Sequence, residues 1–256
     1  MNRCVSSWLR IGLLVGATLG CSWSEAAVFY VDFGNSSYPS AASTYVDANG
    51  NTWNNAINAN AGATLSNLSN TDGGASSISL FNAEQFAANG GPAYGLPAPN
   101  ATYLGEFAIA SATLDNWYTF RPNDATGRDL YLNGLDATRT YNLSFFAVRQ
   151  NTEVRSTTYT VTGGNGVFSA NLQTSGTGMG LGGFNGNNTN IIRLLNIAPD
   201  VNNRITINVN ALVGDFGYIN ILGIEEVVPE PSTAMFLMIG GALIHYARRR
   251  HRSEAA

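Results

Sequence analysis

Tyr141-Asn-Leu-Ser-Phe-Phe-Ala-Val-Arg149 and Arg204-Ile-Thr-Ile-Asn-Val-Asn210 are the stretches that decide the fold. Tyr141, Leu143, Phe145 and Ala147 share one face of the first, and Ile205, Ile207 and Val209 one face of the second. A period of two sends alternate side chains to opposite sides of a strand, so each segment has one face for a core. Between them, Thr157 to Thr162 and Val167 to Leu172 flank Gly163-Gly164-Asn165-Gly166. Residues that tolerate positive φ close such a pair as a β-hairpin. Ile191 to Ile197, a turn at Pro199-Asp200 and the 204–210 segment predict a further strand pair. Val28 to Phe33 opens the series, and Tyr218 to Glu225 closes it with Ile219 and Ile221 alternating against Asn220 and Leu222. Away from the two ends, no apolar stripe of period 3.6 is sustained, apart from a short helix expected near Asn82 to Ala88. The expected fold class is all-β, a β-sandwich.

Composition agrees with a folded, turn-rich chain. Of 256 residues, 28 are Gly, 12% are charged and 11% aromatic, whereas a disordered chain is poorer in aromatics and richer in net charge. The length allows one sizeable domain or two small ones.

Both ends carry processing patterns that are set aside before fold reasoning. Arg3 and Arg10 precede the apolar run Ile11 to Leu19, and Ser24-Glu25-Ala26 supplies small residues at a signal peptidase site. Nine apolar residues make roughly 14 Å of helix, too short for a bilayer core. Residues 1–26 are therefore expected to be a signal peptide. Acylation at Cys21 is disfavoured, because Thr18-Leu19-Gly20 lacks the usual Leu three positions before it.

At the other end, Val228-Pro229-Glu230-Pro231-Ser232 leads into the apolar run Thr233 to Ala247 and then Arg248-Arg249-Arg250-His251-Arg252. The prolines impose an extended approach to a short transmembrane helix, and the Arg cluster holds that end in the cytoplasm. This order resembles the PEP-CTERM sorting signal of Gram-negative bacteria, over residues 229–252. The resemblance implies cleavage at Pro229-Glu230-Pro231 by a membrane-embedded exosortase. It further implies transient inner-membrane anchoring and delivery to the cell surface or exopolysaccharide matrix.

The body, residues 27–228, has neither Cys, His nor Lys; Cys4 and Cys21 fall before it, and His245 and His251 after it. That inventory excludes a Ser-His-Asp triad, a thiol nucleophile, a disulfide, a Lys Schiff base and a His- or Cys-ligated zinc or copper site. Seven Arg (Arg121, Arg128, Arg139, Arg149, Arg155, Arg193, Arg204) face 14 Asp and Glu in this range. A body this acidic lacks the footprint for nucleic acid. No cofactor is expected.

A second pattern runs through the body. It comprises Val31-Asp32-Phe33-Gly34, Trp53-Asn54-Asn55, Asn70-Thr71-Asp72-Gly73, Leu132-Asn133-Gly134-Leu135-Asp136 before Tyr141, Arg155 to Val161, and Gly217 to Leu222. In that order the fragments resemble the galactose-binding-like or malectin-like jelly rolls of secreted bacterial proteins. The resemblance implies carbohydrate recognition. Gly134-Leu135-Asp136 running to Tyr141 also resembles the tyrosine corner of fibronectin-type sandwiches, which makes Tyr141 structural.

Sugar recognition needs flat aromatic faces and polar groups that read hydroxyl directions. Trp53, Tyr94, Tyr103, Trp117 and Tyr118 are the aromatic candidates, with Asn54, Asn55, Arg149 and Arg155 as polar partners; any of the tryptophans could instead fill the core. Paired carboxylates for glycoside cleavage could come from Asp115, Asp124, Asp129 and Asp136, but ordinary loop acids are the better reading. Gly178-Met-Gly180-Leu-Gly182-Gly183 has no following helix and reads as loop rather than a dinucleotide site. Asp47-Ala48-Asn49-Gly50-Asn51 opens like a calcium loop, yet Thr52 and Asn58 stand at its sixth and twelfth positions, which favours a plain turn. Two functions remain: a non-catalytic carbohydrate-binding surface or matrix module, and a structural or adhesive matrix protein without a small-ligand site.

Overall fold

The computed structural model describes residues 26–34, 42–123 and 125–228. The expected signal peptide, the Pro229-Glu230-Pro231 motif, the C-terminal apolar run and Asp124 lie outside the described residues. Alternating apolar strands pair into two six-stranded sheets. The first has the order β12 (Ile192–Ile197), β9 (Thr140–Phe146), β15 (Ile221–Val227), β1 (Val28–Asp32), β3 (Thr52–Asn55), β2 (Thr44–Val46). The second runs β11 (Gly166–Ser175), β10 (Arg155–Gly163), β13 (Ile205–Val213), β8 (Arg128–Asn133), β5 (Ser79–Asn82), β4 (Thr64–Leu65). A three-stranded sheet, β14 (Phe216–Ile219), β7 (Asn116–Phe120) and β6 (Ala87–Asn89), stands beside them. Neighbours are antiparallel except β1 and β3, which run parallel.

The core forms between the large sheets. Phe29, Val31, Tyr141, Leu143, Phe145 and Leu222 of the first meet Leu130, Leu132, Tyr159, Val161, Ile205, Ile207 and Val209 of the second, all buried. Each such side chain contributes about 1.5–3 kcal/mol by leaving water. The β10–β11 hairpin closes at Gly163 and Gly166 as the sequence predicts. The Tyr141 phenol oxygen accepts the backbone N–H of Asp136 at 2.8 Å, the bond a tyrosine corner makes.

Three local expectations are corrected. First, β12 and β13 do not pair with each other: β12 joins β9 in the first sheet, and β13 lies between β10 and β8 in the second. The Pro199-Asp200 stretch carries the chain across the sandwich, and Asp200 accepts the backbone N–H groups of Asn202 and Arg204. Facing the two apolar sides across the core buries both.

Second, the closing strand breaks at Asn220. This fully buried residue accepts from the Val148 N–H at 2.9 Å through its side chain and donates its amide to the Asp115 carbonyl. The break reverses the facing, so Ile219 enters the central core while Ile221 joins a different cluster. Third, residues 82–88 are not helical, because the Asn82 amide is tied to the carbonyls of Ala59 and Asn60 and Ala87–Asn89 pairs with β7.

A second cluster covers the outer face of the first sheet. Short helices α1 (Ala101–Leu104) and α2 (Ala110–Thr113), with a 3-10 turn at Gly105–Phe107 between them, bring Leu104, Phe107 and Ala112 against Trp53, Phe146, Val148 and Ile221. Asn100 caps α1 by accepting the Thr102 N–H at 2.9 Å.

Candidate functional site

Strand register lays one row of side chains across the outer face of the first sheet. Arg193 opposes Ser144, Ser144 opposes Gly223, Gly223 opposes Tyr30, Tyr30 opposes Trp53, and Trp53 opposes Tyr45. Large residues stand at both ends of the row and the two smallest at its middle. The helical segment 101–107 rests on that middle, with Phe107 over Gly223 so closely that a Cβ there would meet its ring at 2.8 Å.

Beside this contact the sheet and the segment enclose an open groove of about 520 Å³, bordered by Tyr30, Tyr103, Glu106, Ser144, Arg193 and Glu225 among others. Tyr103 keeps 48% of its surface exposed. Burial, followed by Glu106, Asp47 and Glu225, pushes the Tyr30 phenol up to about 12, so it stays neutral and can both donate and accept. Glu106 and Glu225 are oriented by the side-chain amides of Asn51 and Asn142, at 2.9 and 3.0 Å. The groove therefore joins aromatic surface to fixed acceptors and one exposed guanidinium.

Of the residues singled out in the sequence, Tyr103 alone borders this groove. Trp53 is fully buried: its indole N–H donates to Asp47 at 2.8 Å, and its ring packs against Tyr30 at 4.9 Å and is stacked with Tyr45 at 6.1 Å. It supports the groove wall from beneath and offers no face to a ligand. Trp117 is buried too, donating to the Gly34 carbonyl at 2.8 Å and packing between Phe33 and Phe86. Both tryptophans are thus corrected as ligand candidates: of the two positions the sequence left open, stacking surface and core, each takes the core. Asn54 is likewise spent on structure, donating to the carbonyls of Tyr30 and Ser69 and accepting the Ser69 N–H. Buried Asn55 donates to the Ala42 carbonyl at 3.1 Å.

Tyr94, Tyr118, Arg149 and Arg155 do come together, at the end of the sandwich where the loop after β9 meets β14 and β7. The Arg149 guanidinium lies 4.3 Å from the centre of the Tyr94 ring. Arg155 is buried, bonded to Glu153 and the Tyr218 hydroxyl and packed over Phe216. Half-buried Tyr118 sits against Phe216 and Tyr218.

Among the described residues, the acidic candidates Asp115, Asp129 and Asp136 do not assemble into a pair over the groove. Asp115 is buried next to Asp32, Asp129 accepts from Asn208 at 2.7 Å, and Asp136 caps Thr138 and pairs with Arg139. The Asp47 segment is a turn in which Asp47 accepts the N–H groups of Asn49 and Asn51. Gly178 to Gly183 lies in the β11–β12 connection, with Gly178, Gly182 and Gly183 at positive φ.

Tyr30, Glu106, Ser144, Arg193 and Glu225 were not singled out in the sequence. The one local signal is Gly223, which interrupts the apolar closing strand where a segment lies on it.

The fold is that of a two-sheet β-sandwich with a helical cover on one outer face. No protein-family model and no curated protein matches the chain. Solved structures that are similar in part include the following three. TmCBM61 in complex with β-1,4-galactotriose has a TM-score of 0.28 at 15% identity, covering 54% of this chain and 86% of that one. The family 32 CBM from C. perfringens NanJ in complex with galactose has a TM-score of 0.26 at 15% identity, covering 55% and 93%. The enzymatically active domain of bacteriophage CBA120 tailspike protein 4 has a TM-score of 0.28 at 16% identity, covering 57% of this chain and 18% of that one. At these TM-scores they define no family, and the class rests on the chain's own sheets.

Proposed function

We propose that the protein is an exported, exosortase-sorted surface or matrix protein whose jelly-roll-like body binds a glycan in the Tyr103 groove without cleaving it. The observation that carries the glycan reading is the groove itself. An exposed phenol ring stands beside a neutral Tyr30 hydroxyl, two carboxylates and Arg193, the combination that a pyranose chain uses for stacking and hydroxyl contacts. Sorting rests on the order of signal peptide, Pro229-Glu230-Pro231, apolar run and Arg cluster. Signal peptidase, exosortase and exopolysaccharide are the partners this reading requires.

Stacking on one aromatic with a few hydroxyl contacts gives dissociation constants of about 10⁻³ to 10⁻⁵ M. A glycan array that includes the producer's own exopolysaccharide, followed by calorimetry, tests this. Tyr103→Ala is expected to weaken binding at least tenfold with the melting temperature unchanged, since Tyr103 is half exposed. Equal binding by Tyr103→Ala and Arg193→Ala would remove the groove from the proposal. Release of reducing sugar would overturn its non-catalytic part.

Burial of both tryptophans favours a second reading, a structural or adhesive matrix protein with no small-ligand site. Absence of binding to every glycan tested, with the protein still retained in the matrix, is the outcome that selects it.

A further inference from the structure

We infer that the free edge of β11 pairs with the β11 edge of a second copy of this chain, joining their second sheets across a twofold axis. β11 is the outermost strand of its sheet and is bonded on one side to β10. The hairpin register fixes which of its backbone groups face outward. Gly163 and Gly166 close the turn as a hydrogen-bonded pair, so the alternate pairs Val161–Phe168, Tyr159–Ala170 and Thr157–Leu172 exchange bonds within the hairpin. The N–H and C=O groups of Val167, Ser169 and Asn171 therefore point away from β10, and among the described residues no other strand takes them up. Cover begins at Thr174, whose carbonyl accepts the Arg149 and Asn187 N–H groups at 2.9 and 3.2 Å.

An open edge is a template for pairing unless charge, proline, a bulge or brevity blunts it. The other outer edges of the two large sheets are blunted: β12 carries Arg193 and a register break between Leu194 and Ile197, and β2 and β4 span three and two residues. β11 has ten residues, and its register with β10 is unbroken from Gly166 to Gln173. From Ser156 to Ile192 the chain contains no charged residue, no His and no Pro.

Two features select a second copy as the occupant. With 14 acids against seven Arg in residues 27–228, two copies repel each other over most of their surface, and the uncharged span lets them approach without that opposition. The edge also complements itself. Antiparallel pairing centred on Ser169 sets Val167 opposite Asn171 of the second copy, and each such pair exchanges two backbone bonds. The same register sets Phe168, which packs against the core, opposite the small Ala170, so the two Phe168 rings do not collide. Such a contact is isologous and closes at two copies.

Sedimentation equilibrium of the full-length protein over a concentration series tests the pairing, and cysteine cross-linking tests its register. A monomer–dimer equilibrium is expected. Ser169→Lys and Val167→Lys put charge on exposed positions of the edge and should each weaken dimerisation roughly tenfold or more, with the circular dichroism of the parent. Under mild oxidation Ser169→Cys should add a disulfide-linked dimer to the pattern of the parent, whose only thiols are Cys4 and Cys21. The twofold brings its Cα atoms to about 5.5 Å, within disulfide range. Val167→Cys alone should add none, whereas a mixture of Val167→Cys and Asn171→Cys should. Tyr103→Ala should leave dimerisation untouched, so this inference and the glycan reading can fail separately. A monomer at every concentration would overturn the second copy and leave the edge to a strand of another protein. Dimers undiminished by both Lys variants, as association through the terminal apolar runs would give, would overturn the edge itself. Equal cross-linking by Val167→Cys and Ser169→Cys would do the same.

Discussion

Asp32 ends the first strand with none of its surface in water, beside the equally buried Asp115, and accepts a hydrogen bond from the Tyr45 hydroxyl at 3.0 Å. Burial first, and Asp115 second, hold its carboxyl well above the usual carboxylate range. The folded protein then binds a proton that the unfolded chain releases near pH 3.9. Stability from this proton is complete below the unfolded value and is lost as pH rises through the folded one. Thermal melts from about pH 4 to about pH 9 should show stability falling on the alkaline side. Asp32→Asn, which carries no proton to lose, should flatten that slope, and an identical slope in parent and variant would show that another group is responsible. Similar hidden demands explain why the sequence left Trp53 open between a sugar site and the core, and why Asn54 was named only as a polar partner. The backbone groups that Asn54 satisfies belong to Tyr30 and Ser69, which are remote in the chain.

At the scale of elements, strand existence was legible but strand partnership was not. Alternation located β9, β10, β11 and β13 because burying one face of a strand imposes a period of two wherever that strand sits. It could not place β12, whose apolar face satisfies either a hairpin or a crossing to the other sheet. The groove is also a property of elements in register, with the Ser144–Gly223 pair setting its floor. Replacing Gly223 with Val puts a Cβ 2.8 Å from the Phe107 ring and forces the 105–107 turn away from the sheet. Overpacking of this kind costs about 1–3 kcal/mol. Urea unfolding should show that loss for Gly223→Val, together with loss of glycan binding. Full stability and binding would mean that the turn does not need to rest on the sheet.

For the whole molecule, the pairing of Val28 with Glu225 places the start and the end of the body side by side at one end of the central strands of the first sheet. The loop carrying Arg149 follows Phe146, which pairs with Ile221 at the opposite end of the same strands. A body tethered through its C-terminal segment would therefore hold the loop end outward. Sorting belongs to this scale, and Glu230→Ala tests it. In a strain with the exosortase, the variant is expected to persist as a larger, membrane-retained form on immunoblots of fractionated cells. Processing and release equal to the parent would reduce the tail to a simple anchor.

By itself the sequence determined the all-β class, the strands with clear alternation, the β10–β11 turn and the absence of Cys, His and Lys from residues 27–228. These follow from local periodicity and from which functional groups are present at all. Only the tertiary structure decided that both tryptophans are buried, that β12 and β13 belong to different sheets, and that Tyr103 rather than Trp53 faces a groove. Burial depends on what a distant segment lays over a side chain: Tyr30 and Tyr45 flank Trp53, while residues 101–107 reach the same sheet face from a later part of the chain.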